Sequence, residues 1–317
     1  MAQHFLLSAA ARSLSLAKVM RMTEDQAFDA FRSIRWADTD GDAVCGKCGG
    51  CECYTFKARR IFKCKACGAQ FSVTSGTIFA SRKMDLRDIL AAIAIFVNGA
   101  KGHSALQLSR DLDVQYKTAF VLSHKIREAL AAEQATSKID GEASVDGAYF
   151  GGYVKPANKR EDRVDRRRKV YQTGKRQAVV VIRDHDGDTL THVATHESEG
   201  VAFVMANVQP GTIVHADEAN HWDQLEAKYL TRRINHSVAY SLDGACTNAA
   251  ESFFSRIRRA EIGIHHHIAG PYLAAYASEM AWREDNNRIS NGEQFLLATS
   301  SALAHPVSRV WKGYWQR

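Results

Sequence analysis

The sequence predicts an α/β protein whose mixed-sheet domain follows a cysteine-rich module and a helical region. Six of its seven cysteines crowd between Cys45 and Cys67. Residues 84–134 are helix-rich, with Gly99 and Gly102 as punctuation. From Ala143 the order is strand, strand, strand, helix, strand, helix, then a late helix around Glu251, as in a mixed sheet with an antiparallel half.

Composition bounds this reading. A chain of 317 residues, 45% hydrophobic, has room for two or three domains and at least one full core. Its 42 Lys and Arg against 35 acids give a net charge of +7, a modest, spread-out excess that favours a polyanionic partner. The longest apolar run, Ile89 to Val97, is far shorter than the roughly 20 residues of a membrane span. Residues Phe5 to Leu16 resemble a secretory signal only faintly, because Arg12 and Lys18 interrupt it and no basic segment precedes it. The expectation is a cytosolic protein, where clustered cysteines argue for metal rather than disulfides.

Taken in order, Thr23-Glu24-Asp25-Gln26 fits a capping box, and Phe28, Phe31 and Ile34 follow on one helical face. Asp38 to Asp42 is a turn into the cysteine cluster. Ala143 to Gly152 reads as a strand ending in Gly-Gly. Lys159 to Lys169 holds seven basic and three acidic residues without periodicity and reads as a loop excursion. Strands Ala178–Arg183 and Thr189–Thr195 are joined by the turn 184–188. A helix near 199–208, a short strand 212–216 and a helix near 220–229 complete the run, and no internal repeat is apparent.

Cys45, Cys48, Cys64 and Cys67 form C-x₂-C-x₁₅-C-x₂-C, two knuckles that close a tetrahedral structural zinc site. Cys51 and Cys53 are read as unliganded thiols of the first hairpin. Tyr54, Phe56, Lys57, Arg59, Arg60 and Phe62 fill the space between knuckles, equally suited to meeting DNA or bracing a neighbour. Further on, Ser104 caps a short helix, Asp113-Val114 makes a turn, and a longer helix starts near Gln115. This fits a helix-turn-helix with Gln115, Tyr116 and Lys117 facing the major groove. Any helical hairpin gives a similar pattern, so the basic, zinc-ribboned context carries much of the weight.

Three acids stand out in the α/β part. Asp146 interrupts an apolar strand, Asp217 ends another, and Glu251 lies on a helix where Asn248, Ser255 and Arg258 share its face and Phe253, Ile257 and Ala260 take the opposite one. Bland alternatives exist for each: a helix cap for Asp217, an arginine partner for Asp146, a solvated face for Glu251. Three carboxylates from separate elements are what a two-magnesium phosphoryl-transfer site requires. Cys246 has no placed base and reads as packing. His265-His266-His267 point in different directions and read as structural or DNA-proximal.

At these residues the chain resembles bacterial insertion-sequence transposases with a zinc ribbon and an Asp-Asp-Glu catalytic domain of the ribonuclease-H-like fold. The likeness runs from Ile34-Arg-Trp36 to about Arg288. It includes Arg60-Ile-Phe-Lys-Cys64-Lys-Ala-Cys67, Gln70 to Phe79, Val145-Asp146, Tyr149-Phe-Gly-Gly152, Asn235-His-Ser237, Thr247-Asn248, Glu251 and Glu279-Met-Ala-Trp-Arg283. The resemblance implies Asp146, Asp217 and Glu251 as catalytic acids holding two Mg²⁺ about 3.5–4 Å apart. It implies Arg258 at the DNA end and a homo-oligomer on double-stranded DNA in the bacterial nucleoid. One departure is Gly147, where members often carry an acid. The basic excursion, with Arg166, Arg167 and Arg168, is expected to contact phosphates without reading bases.

The expected parts are therefore an N-terminal helical segment (1–42), a zinc ribbon (43–80), a helical helix-turn-helix region (81–138), a ribonuclease-H-like catalytic domain (139–290) and a C-terminal tail (291–317). The expected activity is cleavage and strand transfer at the element's ends. The alternatives are a DNA-binding regulator with an inactive domain and a nuclease or resolvase without strand transfer.

Overall fold

The computed structural model describes residues 5–152, 155–165, 168–171, 173–185, 187–234, 241–242, 245–268 and 270–314. Arg166, Arg167 and the Asn235–Ser237 motif, expected to take part in function, lie outside the described residues. The chain forms two compact units, one of residues 1–133 with 286–317 and one of residues 134–285.

In the first unit, α1 (Leu16–Met20) leads into α2 (Glu24–Arg35), which starts with the expected capping box: Gln26 N donates to Thr23 Oγ1 at 3.2 Å and Thr23 N to Gln26 Oε1 at 2.9 Å. A small antiparallel sheet follows, β1 (Cys53–Phe56), β2 (Ile61–Cys64) and β3 (Gln70–Ser72). Its Phe62 stacks on Phe28 of α2 at 5.8 Å and meets Trp36 edge-on at 5.3 Å, so the sheet and α2 share one aromatic core. Next comes α3 (Leu86–Asn98), whose run from Ile89 to Val97 is buried throughout, as befits a helix apolar on every face. Its first N–H groups find their acceptor in another element: Leu86 N and Arg87 N donate to the Glu24 carboxylate at 2.9 and 3.2 Å. Gly99 ends it where a Cβ would lie 2.6 Å from the Gly102 carbonyl oxygen.

The helical hairpin is α4 (Ala105–Asp111) and α5 (Tyr116–Gln134). Ser104 Oγ caps α4 by accepting from Gln107 N at 3.1 Å, and Asp113 makes the turn at φ 50°. Leu108, Ala119 and Leu122 point inward. Residues 291–317, expected as a tail, begin with a capped helix, Asn291–Ala304. Asn291 Oδ1 accepts from Leu14 N at 2.8 Å and its Nδ2 donates to Leu14 O at 3.1 Å, which ties this helix to the N-terminal segment.

The second unit is a five-stranded sheet of β4 (Glu142–Gly151), β5 (Arg176–Asp184), β6 (Thr189–Ala194), β7 (Ile213–Asp217) and β8 (Leu230–Ile234) in the order β6-β5-β4-β7-β8. The first three strands form an antiparallel meander, while β7 and β8 run parallel to β4. This is the ribonuclease-H-like arrangement, with helices on both faces.

Period-two alternation in β5 serves the two cores: Val180 and Ile182 pack with Val201 and Val204 of α6 (Gly200–Asn207) and with Trp222. Val179 and Val181 pack with Phe253 and Ile257 of α7 (Asn248–Ala260) and Met280 of α8 (Leu273–Asp285). A short hairpin, β9 (Ser241–Leu242) and β10 (Ala245–Cys246), leads into α7, and α8 closes the unit. Glu284 of α8 takes both Arg183 and Arg256 as ion partners, locking α7 and β5 to this helix.

Candidate active site and zinc centre

The four cysteines meet as their spacing requires: all four Sγ atoms lie within 4.8 Å of one another. Cys45–Cys67 and Cys48–Cys64 are each 3.6 Å apart, close to the roughly 3.8 Å edge of a tetrahedron with 2.3 Å Zn–S bonds. Both knuckles turn alike. Gly49 N donates to Cys45 O at 2.8 Å and Gly68 N to Cys64 O at 3.0 Å, with both glycines at positive φ. The backbone N–H groups of Lys47 and Cys48 pull the Cys45 thiol down to about 7, and that of Cys67 lowers Cys64; at Cys48 the Gly50 N–H is outweighed by the neighbouring Cys67 and Cys64 side chains, which push it up to about 12. Cys51 and Cys53 stand outside this group. Of the residues between knuckles, Phe62 is buried in the unit's core, while Tyr54, Phe56, Lys57 and Arg59 face solvent.

The acids of the second unit gather where β4 and β7 end their pairing. The last paired positions are Ser144 and His215, so the same register carries Asp146 and Asp217 two residues further, level with each other. Carboxylate oxygens of Asp146, Asp217 and Glu197 all lie within 4.8 Å of one another, a donor set of hard oxygens that suits a divalent cation. Asp146 Oδ1 accepts from Gly147 N at 2.7 Å and Asp217 Oδ1 from Ala219 N at 3.1 Å, which fixes both carboxylates on their strands. Arg233 on β8 holds the turn after Asp217, donating to Asp217 O at 2.7 Å and Ala219 O at 2.9 Å.

Glu197 reaches this group from the short turn between β6 and α6. Its backbone N–H donates to Tyr149 Oη at 3.4 Å, and His221 Nε2 lies 3.6 Å from its Oε1. Burial, then the charges of Asp146 and Asp217, raise its pKa to about 7. Sequence reading missed it, because residues 195–199 carry no periodicity. The signal was Gly147, whose missing side chain leaves the space that Glu197 fills.

Glu251 lies in the first turn of α7, half-buried, and is not one of the three mutually close carboxylates. Its helix packs on the side of the sheet that carries Asp146: alternation in β4 puts Asp146 on the face of Ala148 and Phe150, which pack with Phe253 and Ile257 of α7. A buried polar network anchors that helix. Cys246 N, just before α7, donates to His215 Nδ1 at 3.1 Å, so His215 carries its proton on Nε2 and donates to Glu142 Oε1 at 2.7 Å. Gln115, Tyr116 and Lys117 are exposed at the start of α5, and Arg168 and Arg258 are exposed in the second unit.

A ribonuclease-H-like sheet with acids gathered at the ends of its central strands, in a chain that also bears a four-cysteine ribbon, defines the DDE transposases as a class. Residues 138–285 match the ISXO2-like transposase domain and residues 22–70 the transposase zinc-ribbon domain. By these two domains the chain belongs to the DDE transposase family. Among curated proteins it is 25% identical, over 274 residues, to an uncharacterized protein in transposable element ISH50 of Halobacterium salinarum, covering 80% of this chain and 90% of the relative. Among solved structures it is similar to a Mos1 transposase paired-end complex with left transposon end (13% identity, 68% of this chain, 79% of that chain, TM-score 0.27). It is also similar to a Mos1 strand transfer complex (12% identity, 67% of this chain, 78% of that chain, TM-score 0.25).

Proposed function

We propose that this protein is a DNA transposase that binds the ends of its insertion sequence and cleaves and joins DNA at a magnesium site built on Asp146 and Asp217. The observation that carries this reading is the convergence of Asp146, Asp217 and Glu197 within 4.8 Å at the end of paired parallel strands. Uncompensated carboxylates repel, and a shared divalent cation is what makes such a grouping favourable.

Asp146 and Asp217 would hold the metal, with Glu197 as a third carboxylate. Glu251, on α7, is the acid that the resemblance assigns to the catalytic set. When bound, the metal supplies activation of the attacking water or 3′-hydroxyl and neutralises charge on the leaving oxygen. The chain's own part is positioning: Arg233 fixes the Asp217 turn and His215 the entry to α7. No protein nucleophile is needed: His215, beside Cys246, has both ring nitrogens engaged, by Cys246 N and by Glu142. Arg258 and the basic stretch around Arg166, Arg167 and Arg168 would supply phosphate contacts, with base reading left to Gln115, Tyr116 and Lys117.

The test is incubation of zinc-loaded protein with a duplex carrying both inverted repeats that flank the gene. Cleavage at the ends with Mg²⁺, abolished by chelation and restored by excess Mg²⁺, supports the proposal. End binding without cleavage in Mg²⁺ or Mn²⁺ would favour the regulator with an inactive domain.

A further inference from the structure

The first unit contains a cavity of about 340 Å³, a volume suited to a small organic ligand. Arg82, which is also paired with Glu24, and Lys83, Lys117 and Lys125 line it together with largely apolar side chains that include Trp311 and Tyr314. Among the described residues that line the cavity there is no acid.

Lys117 and Lys125 stand two turns apart on α5, the second helix of the helical hairpin, so they present their ammonium groups on one side of it. Among the described residues Lys125 has no hydrogen-bond or ion-pair partner; the charge of Glu128, one turn on, is what reaches it. Burial lowers the Lys125 pKa, which marks an ammonium held partly out of water beside an open space. A cation so placed gains most from an anion entering the cavity, where solvent screens the attraction less than at an open surface.

The combination of cationic and aromatic lining selects the ligand. A lone phosphate would satisfy the lysines and leave Trp311 and Tyr314 unused. A nucleotide satisfies both, its phosphate at the cations and its base or deoxyribose against the aromatic rings. Gln115 and Tyr116 are exposed at the N-terminus of the same helix, next in sequence to the cavity-lining Lys117.

We propose that this cavity takes one unstacked nucleotide of a DNA strand, held by Lys83 and Lys125. The proposal rests on the transposase reading for the presence of DNA, but it concerns a site on the first unit, separate from the acids.

The test uses zinc-loaded full-length protein, a fluorescent oligothymidine and a blunt duplex, with anisotropy read over a range of salt. Lys125→Met keeps the side chain's length and removes the charge; Lys83→Met does the same at an exposed position where folding is not at stake. Each should weaken oligothymidine binding on the order of tenfold and lower the magnitude of the log–log salt slope by about 0.7, the single-strand value for one phosphate contact. Duplex binding should change less. Unchanged oligothymidine affinity and slope in both variants would overturn the proposal, and so would equal losses on duplex and single strand. A wild-type protein that binds neither DNA would instead sink the transposase reading itself.

Discussion

Gly147 and Glu197 compete for one volume: a Cβ on Gly147 would lie 2.3 Å from Glu197 Cγ and 2.4 Å from its Cδ. The strand position beside Asp146 has given up its side chain, and the carboxylate in that space comes from the turn before α6. Gly147→Ala should therefore expel Glu197 from the acid group and weaken Mn²⁺ binding, measured calorimetrically, on the order of tenfold. In a Glu197→Ala background the same change should cost nothing further. Additive effects in that cycle would show that the two positions are independent.

His215 makes two bonds: an alanine keeps neither, and a ring protonated at Nδ1 keeps only the one to Glu142. His215→Ala strands the Cys246 N–H and deprives Glu142 of its donor, so the second unit should lose about 1–3 kcal/mol in urea unfolding. His215→Asn places an oxygen where Nδ1 was and should recover part of that loss. Equal stability of wild type and the alanine variant would show that the network does not anchor α7.

Asp285 gives the second unit a pH dependence. Burial raises its pKa to about 7, outweighing the hydrogen bonds that it accepts from Thr189 N, Thr189 Oγ1 and Gln134 Nε2. Its unfolded value is near 3.9, so between these limits the folded state holds the extra proton. The associated stability is full below about pH 4 and is lost as pH rises through about 7. Thermal unfolding should show a decline from about pH 4 to 7 that Asp285→Asn flattens. A wild-type profile without that decline would mean that Asp285 is ionised throughout.

The elements with strong local signals were legible in the sequence. The capping box at Thr23, the cysteine knuckles and the three strands from Asp146 onward each follow from spacing or alternation. Asp146 and Asp217 were legible because a charge inside or at the end of an apolar strand needs a reason. What the sequence hid depends on contacts between distant segments: Glu197 reaching the space at Gly147, Glu24 capping α3, and the helix after Ser290 returning to Leu14 in the first unit. The division between units falls at residues 133/134 and 285/286, where no change of composition marks it.

The ribbon should hold one zinc per chain on Cys45, Cys48, Cys64 and Cys67, contributing on the order of 10 kcal/mol to its folding. Serine at any of these four should lower the zinc content found by elemental analysis and loosen the aromatic core around Phe62. Serine at Cys51 or Cys53 should leave one zinc in place. Loss of zinc from either of the latter variants would redraw the ligand set.

The central claim is that Asp146 and Asp217, with Glu197 and Glu251, form a metal-dependent DNA-cleaving site. The most direct measurement is Mg²⁺-dependent nicking of element-end duplex by wild type, Asp146→Asn, Asp217→Asn, Glu197→Gln and Glu251→Gln, with zinc content and end binding measured in parallel. The account predicts that all five bind zinc and DNA alike, that cleavage disappears in both aspartate variants, and that each glutamate variant falls at least tenfold. Cleavage at the wild-type rate by Asp146→Asn or Asp217→Asn would contradict it.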